Sequence, residues 1–157
     1  MMEKISLDRI DRKILALLQA DCTVPISEIG EAVGLSATPC WKRIKRLERE
    51  GLIERRVAIV NRERLGLGVT VFVAVRTARH SDVWLEAFSE GVARIPEVVE
   101  FYRMSGEIDY LLKVVVRDIA DYDRIYRKLT KVAELHDVSS SFAMQEIKST
   151  TALPLSE

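Results

Sequence analysis

A cationic stripe over residues 36–49 is the feature of this sequence with the clearest chemical capability. A helix turns about 100° per residue, so a helix here has an apolar face made of Cys40, Ile44 and Leu47. The opposite face is polar and largely basic, and its members are Thr38, Lys42, Lys45 and Arg49, with Arg46 on its flank and Trp41 near its boundary. Such a helix can bury one face and turn the other toward phosphates.

The charge of the surrounding segment favours a nucleic-acid partner over an ordinary solvated helix face, which is the alternative interpretation. Residues 36–56 hold seven Lys or Arg and three Glu, a local net charge of +4. Residues 1–68 carry 13 basic and 10 acidic side chains, whereas residues 69–157 carry 11 and 14. The formally neutral chain thus has a basic half, and we expect this half to bind double-stranded DNA.

A short helix and a glycine turn precede the cationic stripe. Gly34 follows the apolar positions Ile29 and Val33, as a helix-ending residue does. Ser36 is the expected N-cap of the next helix, and Pro39 falls in its first turn, where a missing N–H costs little. Two helices joined by such a turn are typical of the helix–turn–helix, whose second helix enters the major groove of DNA.

This arrangement predicts which residues contact DNA. Phosphates are expected next to the basic residues Lys42, Lys45, Arg46, Arg49 and Arg55. Base edges are expected next to Thr38, Trp41 and Lys42, with Ser36 at the start of the same helix. Residues 52–60, LIERRVAIV, alternate in polarity and predict a small two-stranded wing, in which Arg55 and Arg56 approach flanking phosphate.

Several other kinds of site and location are not expected. Cys22, Cys40, His80 and His136 are scattered without the spacing of a zinc site, so no metal is expected. No nucleophile elbow, Ser-x-x-Lys motif or phosphate-binding glycine loop is present, so we expect neither an enzyme nor a cofactor. The N-terminus does not resemble a signal peptide, and no apolar run approaches the ~20 residues of a membrane span, which favours a cytoplasmic location.

The periodicity of the whole chain predicts an α+β protein. A first helix is expected over 7–21 with Ser6 as its N-cap, and the helix–turn–helix with its wing completes a DNA-binding domain over 1–60. After a linker over 61–68, the pattern predicts a strand at 69–77, a helix from Ser81 to about 95, strands at 98–104 and 110–117, a helix at 119–132 capped by Asp118, and a last strand. This order matches a ferredoxin-like βαββαβ domain over 69–157.

Two of the expected strands are apolar on both faces. In the strand 69–77, Val71 and Val73 share one face, whereas Phe72 and Ala74 share the other. Two helices cover only one face of a four-stranded sheet, so the second face needs another cover. We expect a second copy of the sheet and hence a symmetric dimer. The alternative is packing against the chain's own N-terminal half.

Three segments together resemble the Lrp/AsnC family of bacterial and archaeal transcriptional regulators. They are LDRIDRKILALLQAD, VGLSATPCWKRIKRLEREGLI and MSGEIDYLLKVVV. The resemblance implies a winged helix–turn–helix, a ferredoxin-like sensing domain, and dimers that assemble into octamers or similar rings with amino acids bound between dimers. TPCWKRIKRLE and DVSSSFAMQEIKSTTALPL are most similar to the cysteine-responsive branch. Cysteine is therefore the first candidate effector, and leucine or another apolar amino acid is the second.

The resemblance also implies a set of effector-binding residues. The loop 105–109, SGEID, matches the family's Gly-x-x-Asp loop, in which Asp109 would pair with the ammonium of an amino acid and Gly106 would let backbone N–H groups approach its carboxylate. The full set is Met104, Ser105, Gly106, Glu107, Asp109 and Tyr110 around this loop, and Ser141, Phe142, Ala143 and Met144 on the last strand. The alternative is a simple hairpin turn that Asp109 caps.

Two other classes of function stay open at the level of sequence. An architectural protein that wraps DNA with little effector control would bind unrelated sequences with similar affinity. A metabolic binding module with an incidental basic helix would not bind DNA even at low salt. The helix–turn–helix and the sensing domain together favour a sequence-specific transcriptional regulator that responds to a small amino acid.

Overall fold

The computed structural model describes residues 5–77, 81–132 and 135–155, and these form two compact units. One unit comprises the chain up to residue 59 together with the segment from 148, and the other comprises residues 60–147. The C-terminal segment thus groups with the first unit, whereas the sequence predicted a second domain over 69–157. The reason is a set of contacts between residues distant in sequence, because Leu155 packs against the apolar core of the first unit and Leu153 is hydrogen-bonded to Gln19.

The first unit contains three helices, α1 (Arg9–Ala20), α2 (Ile26–Val33) and α3 (Ala37–Arg49). The expected N-cap at Ser6 is wrong. Asp8 is the N-cap, since its carboxylate accepts the Asp11 N–H at 2.8 Å and the Asp11 carboxylate accepts the Asp8 N–H at 3.2 Å. The core between the helices is formed by the buried side chains of Ile14, Leu15, Ile29, Cys40, Ile44 and Leu47.

The turn between α2 and α3 has the expected backbone geometry. Gly34 ends α2 with a φ of 75°, a left-handed conformation that glycine adopts without a steric penalty. Gly30 allows close packing here, because a Cβ on it would lie 2.7 Å from the Leu35 carbonyl oxygen. Ser36 is the N-cap of α3 by position, but its side chain makes no capping hydrogen bond. The two helices form the helix–turn–helix that the sequence predicted.

The two-stranded wing expected over 52–60 does not form within the described chain. This segment contains no strand, and its only backbone hydrogen bonds run from the N–H groups of Leu52 and Ile53 to the Leu47 carbonyl. Alternating polarity produces an extended segment, but a strand also needs a partner for its backbone groups, and the described residues supply none. The described part of the first unit is therefore a helix–turn–helix without the two-stranded wing.

The second unit is a four-stranded antiparallel sheet with two helices. Its elements are β1 (Val69–Arg76), α4 (Asp82–Ala93), β2 (Val98–Arg103), β3 (Tyr110–Val116), α5 (Ile119–Val132) and β4 (Asp137–Phe142), and the strand order is β2-β3-β1-β4. The Ser81 hydroxyl caps α4 and the Asp118 carboxylate accepts the Asp121 N–H at 2.7 Å, as the sequence predicted. The fold is the expected ferredoxin-like arrangement.

Residues 61–68, which the sequence assigned to a linker, lie within the second unit. The Arg62 guanidinium is hydrogen-bonded to the Thr70 hydroxyl and lies 3.4 Å from the Glu146 carboxylate. These bonds attach the segment to the start of β1 and to the chain that follows β4. None of the helices in the described part of the chain is long and apolar enough to cross a membrane.

The two faces of the sheet differ in cover. Val71 and Val73 of β1, with Leu112 and Val114 of β3, are fully buried against the two helices. The opposite face carries Phe72, Ala74, Leu111 and Val115, and Phe72 is 39% exposed. The sheet therefore has a second, partly apolar face that the helices of its own unit do not cover.

Replacing Val73 with Asp is expected to unfold the second unit, because an unpaired carboxylate in this core costs several kcal/mol. Val83→Asp is the matched control, since it places the same charge in the same unit on α4, where Val83 is 78% exposed. Urea unfolding followed by circular dichroism measures both. Equal loss of stability in the two variants would contradict the burial of Val73 in the core.

Candidate DNA-binding surface and ligand site

The exposed face of α3 is the candidate DNA-binding surface. Cys40, Ile44 and Leu47 are buried in the core, which confirms the two-faced pattern read from the sequence. The exposed residues among those expected to contact DNA are Ser36, Thr38, Trp41, Lys42, Lys45 and Arg49 on α3 and its cap, with Arg55 beyond it. Trp41 exposes 46% of its surface, so an aromatic ring lies in solvent beside the basic side chains.

Three of these cations have no partner within the described chain. Lys42, Arg49 and Arg55 make no hydrogen bond or ion pair with any residue that the structure describes. Lys45 differs, because its ammonium lies 2.7 Å from the Glu48 carboxylate. The hydrogen bond from Lys45 is the main reason that the pKa of Glu48 lies below its usual value, so this glutamate is charged and competes with a phosphate for Lys45.

Arg46, which the sequence predicts to contact phosphate, is only 34% exposed and has its guanidinium paired within the first unit. Its Nη2 lies 2.5 Å from Oδ2 of Asp11, a carboxylate that is 1% exposed. Arg43 Nη1 lies 2.8 Å from the other Asp11 oxygen and 2.6 Å from the carboxylate of Asp8. The backbone N–H of Asp11, and then Arg43, hold the pKa of Asp8 below its usual value. Arg46 thus neutralises a buried carboxylate and fixes α3 to α1.

Sequence reasoning does not find this ion-pair network, although a signal for it is present. Asp8 and Asp11 are three residues apart on α1, and Arg43 and Arg46 are three apart on α3. Residues with this spacing lie on one side of a helix, so two such pairs of opposite charge can face each other.

The loop 104–109 is bound to the end of β1. The Asp109 N–H donates to the Val75 carbonyl at 3.0 Å, and the Asp109 carboxylate accepts the Thr77 N–H at 2.8 Å. Arg76 Nε donates to the Glu107 carbonyl at 2.6 Å, and Gly106 has a φ of 121°. Asp109 therefore bonds a backbone amide, as in the alternative interpretation, but the amide is that of Thr77 after β1 and not one of the turn itself. Asp109 is half-buried, and its second carboxylate oxygen makes no hydrogen bond among the described residues.

Tyr110 is buried and does not line an open site within this chain. Its ring packs at 5.9 Å from Trp84, 5.2 Å from Phe88 and 5.7 Å from Phe101, measured between ring centroids. The side chain is 4% exposed. Its position is that of a core residue, whereas Met104, Ser105 and Glu107 are exposed on the loop.

The second part of the expected ligand site lies at the other end of the sheet. β4 ends at Phe142, so Ala143 and Met144 follow the strand rather than forming part of it. Phe142 pairs with Val71, whereas Asp109 is bonded to Thr77, and six residues of an extended strand span roughly 20 Å. One chain thus does not bring the loop 104–109 and residues 141–144 together.

Neighbouring residues at the end of β4 also point to opposite faces of the sheet. The Phe142 ring contacts the Tyr122 ring of α5 at 5.3 Å, on the helix side of the sheet, whereas Ser141 points to the uncovered side with its partner Phe72. No group of three His, Cys, Asp or Glu in the described ranges is placed to hold a metal ion.

Comparison with known proteins bears on both units. The AsnC-type helix–turn–helix domain matches residues 7–48, and the Lrp/AsnC ligand binding domain matches residues 70–153. The Glutamate uptake regulatory protein of Zymomonas mobilis is 51% identical over 96% of this chain and 92% of its own length. The DNA-binding transcriptional activator DecR of Escherichia coli is 51% identical over 95% of this chain and 99% of its own length.

Solved structures are similar over nearly the whole chain. An AsnC family transcriptional regulator from Agrobacterium tumefaciens is 56% identical with a TM-score of 0.92, covering 95% of this chain and 97% of that one. A transcriptional regulator from Neisseria meningitidis, solved in complex with L-Met, is 35% identical with a TM-score of 0.90, covering 96% and 97%. This chain belongs to the Lrp/AsnC family, and it is a DNA-binding transcriptional regulator with an amino-acid ligand-binding domain.

Proposed function

We propose that this regulator binds its operator through the exposed face of α3 and that a small amino acid changes its affinity for that operator. The observation that carries the DNA-binding part is the group of unpaired cations Lys42, Arg49 and Arg55 on or beside a helix whose other face is buried; they are unpaired among the described residues. Thr38 and Trp41 are exposed on the same helix and are proposed to lie nearest the base edges. Lys45 joins the phosphate contacts when it exchanges Glu48 for DNA.

The ligand is proposed to be L-cysteine first, and leucine or another apolar amino acid second. The match to a ligand-binding domain and the L-Met complex of a similar regulator support an amino-acid ligand. The resemblance to the cysteine-responsive branch supports cysteine. Asp109 retains one carboxylate oxygen without a hydrogen bond among the described residues, and that oxygen can accept from an ammonium group.

The ligand site is proposed to lie between copies of the chain. Since one chain holds the loop 104–109 and residues 141–144 roughly 20 Å apart along the strand direction, a site that uses both must take them from two copies. Such a site would respond to assembly and would influence assembly, because a ligand favours the state that it binds more tightly.

We propose that the uncovered face of the sheet is buried in the interface of a dimer. Such dimers are proposed to assemble into an octamer or a similar ring. Phe72→Asp is expected to shift the protein to a monomer, since each dimer would bury two unpaired carboxylates. Analytical ultracentrifugation at micromolar concentration measures this. A Phe72→Asp variant that sediments like the original protein would contradict the proposed interface.

Asp109→Asn tests the ligand role against the role of accepting a backbone N–H. Asparagine keeps an oxygen that can accept the Thr77 N–H, but it carries no charge for an ammonium group. We expect Asp109→Asn to keep its fold and its basal operator affinity, and to lose at least about tenfold in affinity for the amino acid.

The ligand for this experiment is found by a thermal-shift screen of the twenty amino acids, because a ligand of the native state raises its midpoint of unfolding. Binding to the original protein and to Asp109→Asn is then measured by calorimetry. Equal affinities would leave Asp109 as a backbone acceptor only. No thermal shift with any amino acid would contradict the sensing proposal itself.

A further inference from the structure

The segment 148–155 is an unexpected part of the DNA-binding unit. The Gln19 side chain at the end of α1 donates to the Leu153 carbonyl at 3.1 Å and accepts the Leu153 N–H at 2.6 Å. The amide thus satisfies both backbone groups of one residue, as a neighbouring strand would. Leu155, two residues later, packs against the core of the three helices. The family match, by contrast, includes this segment up to residue 153 in the ligand-binding domain.

This segment forms one side of a groove next to α1. The groove has a volume of about 680 Å³, and α1 contributes Leu15 and Leu18 to its wall. Thr151, Leu153 and Leu155 line the same groove from the C-terminal segment. Only Leu155 of these three is partly buried, whereas Leu153 is 72% exposed and is held through its backbone N–H and carbonyl.

The chain links this segment closely to the proposed ligand site. β4 ends at Phe142, and residues 143–147 are all that separates it from the segment grouped with the helices. The chain therefore connects the two units twice, once at 59–60 and once at 147–148. The segment that is bonded to α1 is therefore joined to the end of β4 by five residues.

The contacts continue from α1 to the DNA-binding helix. Asp11 of α1 is buried and forms ion pairs with Arg43 and Arg46 of α3, at 2.8 and 2.5 Å. Arg46 lies beside Lys42 and Arg49 around α3, so the ion pairs join α1 to the part of α3 next to the cations proposed to meet DNA. Physical contact alone does not establish coupling, which requires an element with two states that both sites influence.

We propose that residues 148–155 form a strap with a docked and an undocked state, and that amino-acid binding at the end of β4 changes the balance between them and thereby the operator affinity. The coupling step rests on the proposed amino-acid sensing, whereas docking of the strap on α1 does not. In the docked state the strap holds α1 and, through Asp11, α3. Undocking releases the end of α1 and lowers the affinity for DNA.

Docking is tested by hydrogen exchange in the full-length protein. Leu155→Asn is expected to raise the exchange rate of α1 amides about tenfold and to leave β3 unchanged, because the variant weakens apolar packing in the first unit only. Ile147→Asn is the matched control, since Ile147 is 91% exposed. Gln19→Ala is a second variant that removes the two hydrogen bonds to Leu153 and leaves the apolar core intact.

Unchanged α1 exchange in both Leu155→Asn and Gln19→Ala would overturn docking, as would an equal effect of Ile147→Asn. Coupling is tested by operator affinity with and without saturating L-cysteine under reducing conditions. The original protein and Ile147→Asn are expected to show the same change in operator affinity when L-cysteine is added. In Gln19→Ala this change is expected to be less than about twofold, although calorimetry still detects binding of L-cysteine.

If L-cysteine changes the operator affinity of Gln19→Ala as much as that of the original protein, the coupling is overturned. This holds even if the variant forms an oligomer of a different size. Failure of the original protein to bind any of the twenty amino acids would overturn the coupling together with amino-acid sensing. Hydrogen exchange of the α1 amides would then still show whether the strap docks. Failure of docking and failure of amino-acid sensing are therefore distinguishable.

Discussion

Replacing Lys42 or Arg49 with alanine is expected to weaken DNA binding roughly tenfold each, because each variant lacks a charge-assisted hydrogen bond to phosphate. Both side chains are exposed and lack partners among the described residues, so no internal interaction is removed. The slope of log affinity against log salt concentration is expected to fall by about 0.9 for each phosphate that the protein no longer neutralises. Binding to several unrelated duplexes should weaken to a similar degree.

Fluorescence anisotropy over a range of salt concentrations measures both quantities. Arg94→Ala is the control, since Arg94 is an exposed cation of the other unit with only a 3.5 Å pair to Glu90 among the described residues. Unchanged affinity and slope in both the Lys42 and Arg49 variants would mean that this face of α3 does not meet DNA.

Removing the buried carboxylate of Asp11 is expected to destabilise the first unit strongly. Asp11→Ala leaves Arg43 and Arg46 without their shared partner and removes one half of the capping box of α1. Both guanidinium groups are about a third exposed, at 28% and 34%, so water replaces part of the missing interaction. We expect a loss of about 2–4 kcal/mol in the free energy of unfolding of the first unit.

A matched pair of arginines on α3 separates structural from DNA-binding roles. Arg46→Ala is expected to destabilise the first unit by about 1–3 kcal/mol, because it removes one ion pair of Asp11, whereas Arg49→Ala is expected to leave stability unchanged. Urea unfolding and DNA affinity are measured on the same preparations. A stable Arg46→Ala variant with weakened DNA binding would return Arg46 to the phosphate contacts and contradict its structural role.

The sequence predicts the helices and strands well where periodicity and caps agree. The apolar positions of α3 indicate which face meets the core. In β1 the alternation separates Val71, Val73 and Val75 from Phe72 and Ala74, but both sets are apolar, and only the structure shows that the valines face the helices. The sequence misplaces the start of α1 because Ser6 and Asp8 are both good caps, and only the reciprocal bonds with Asp11 decide between them.

The remaining differences arise from contacts between residues distant in sequence. Arg46 and Arg49 are both arginines on neighbouring parts of the polar side of α3. Only the packing of α1 on α3 places Asp11 next to Arg46. The strap is a polar and aliphatic tail without a strong period, and its place depends on Gln19, 134 residues before Leu153. The resemblance to the family implies one ligand site formed by the loop 104–109 and residues 141–144, but strand pairing separates them within a single chain.

The most direct test of the central claim is the affinity of the full-length protein for two duplexes, with and without the amino acid that the thermal-shift screen identifies. One duplex is selected by the protein from a random library, and the other is a shuffled sequence of the same composition. We expect at least about 1,000-fold tighter binding to the selected duplex at physiological salt. The amino acid is expected to change that affinity by about fivefold or more. Equal affinity for both duplexes, unaffected by any amino acid, would contradict the account and indicate an architectural DNA-binding protein.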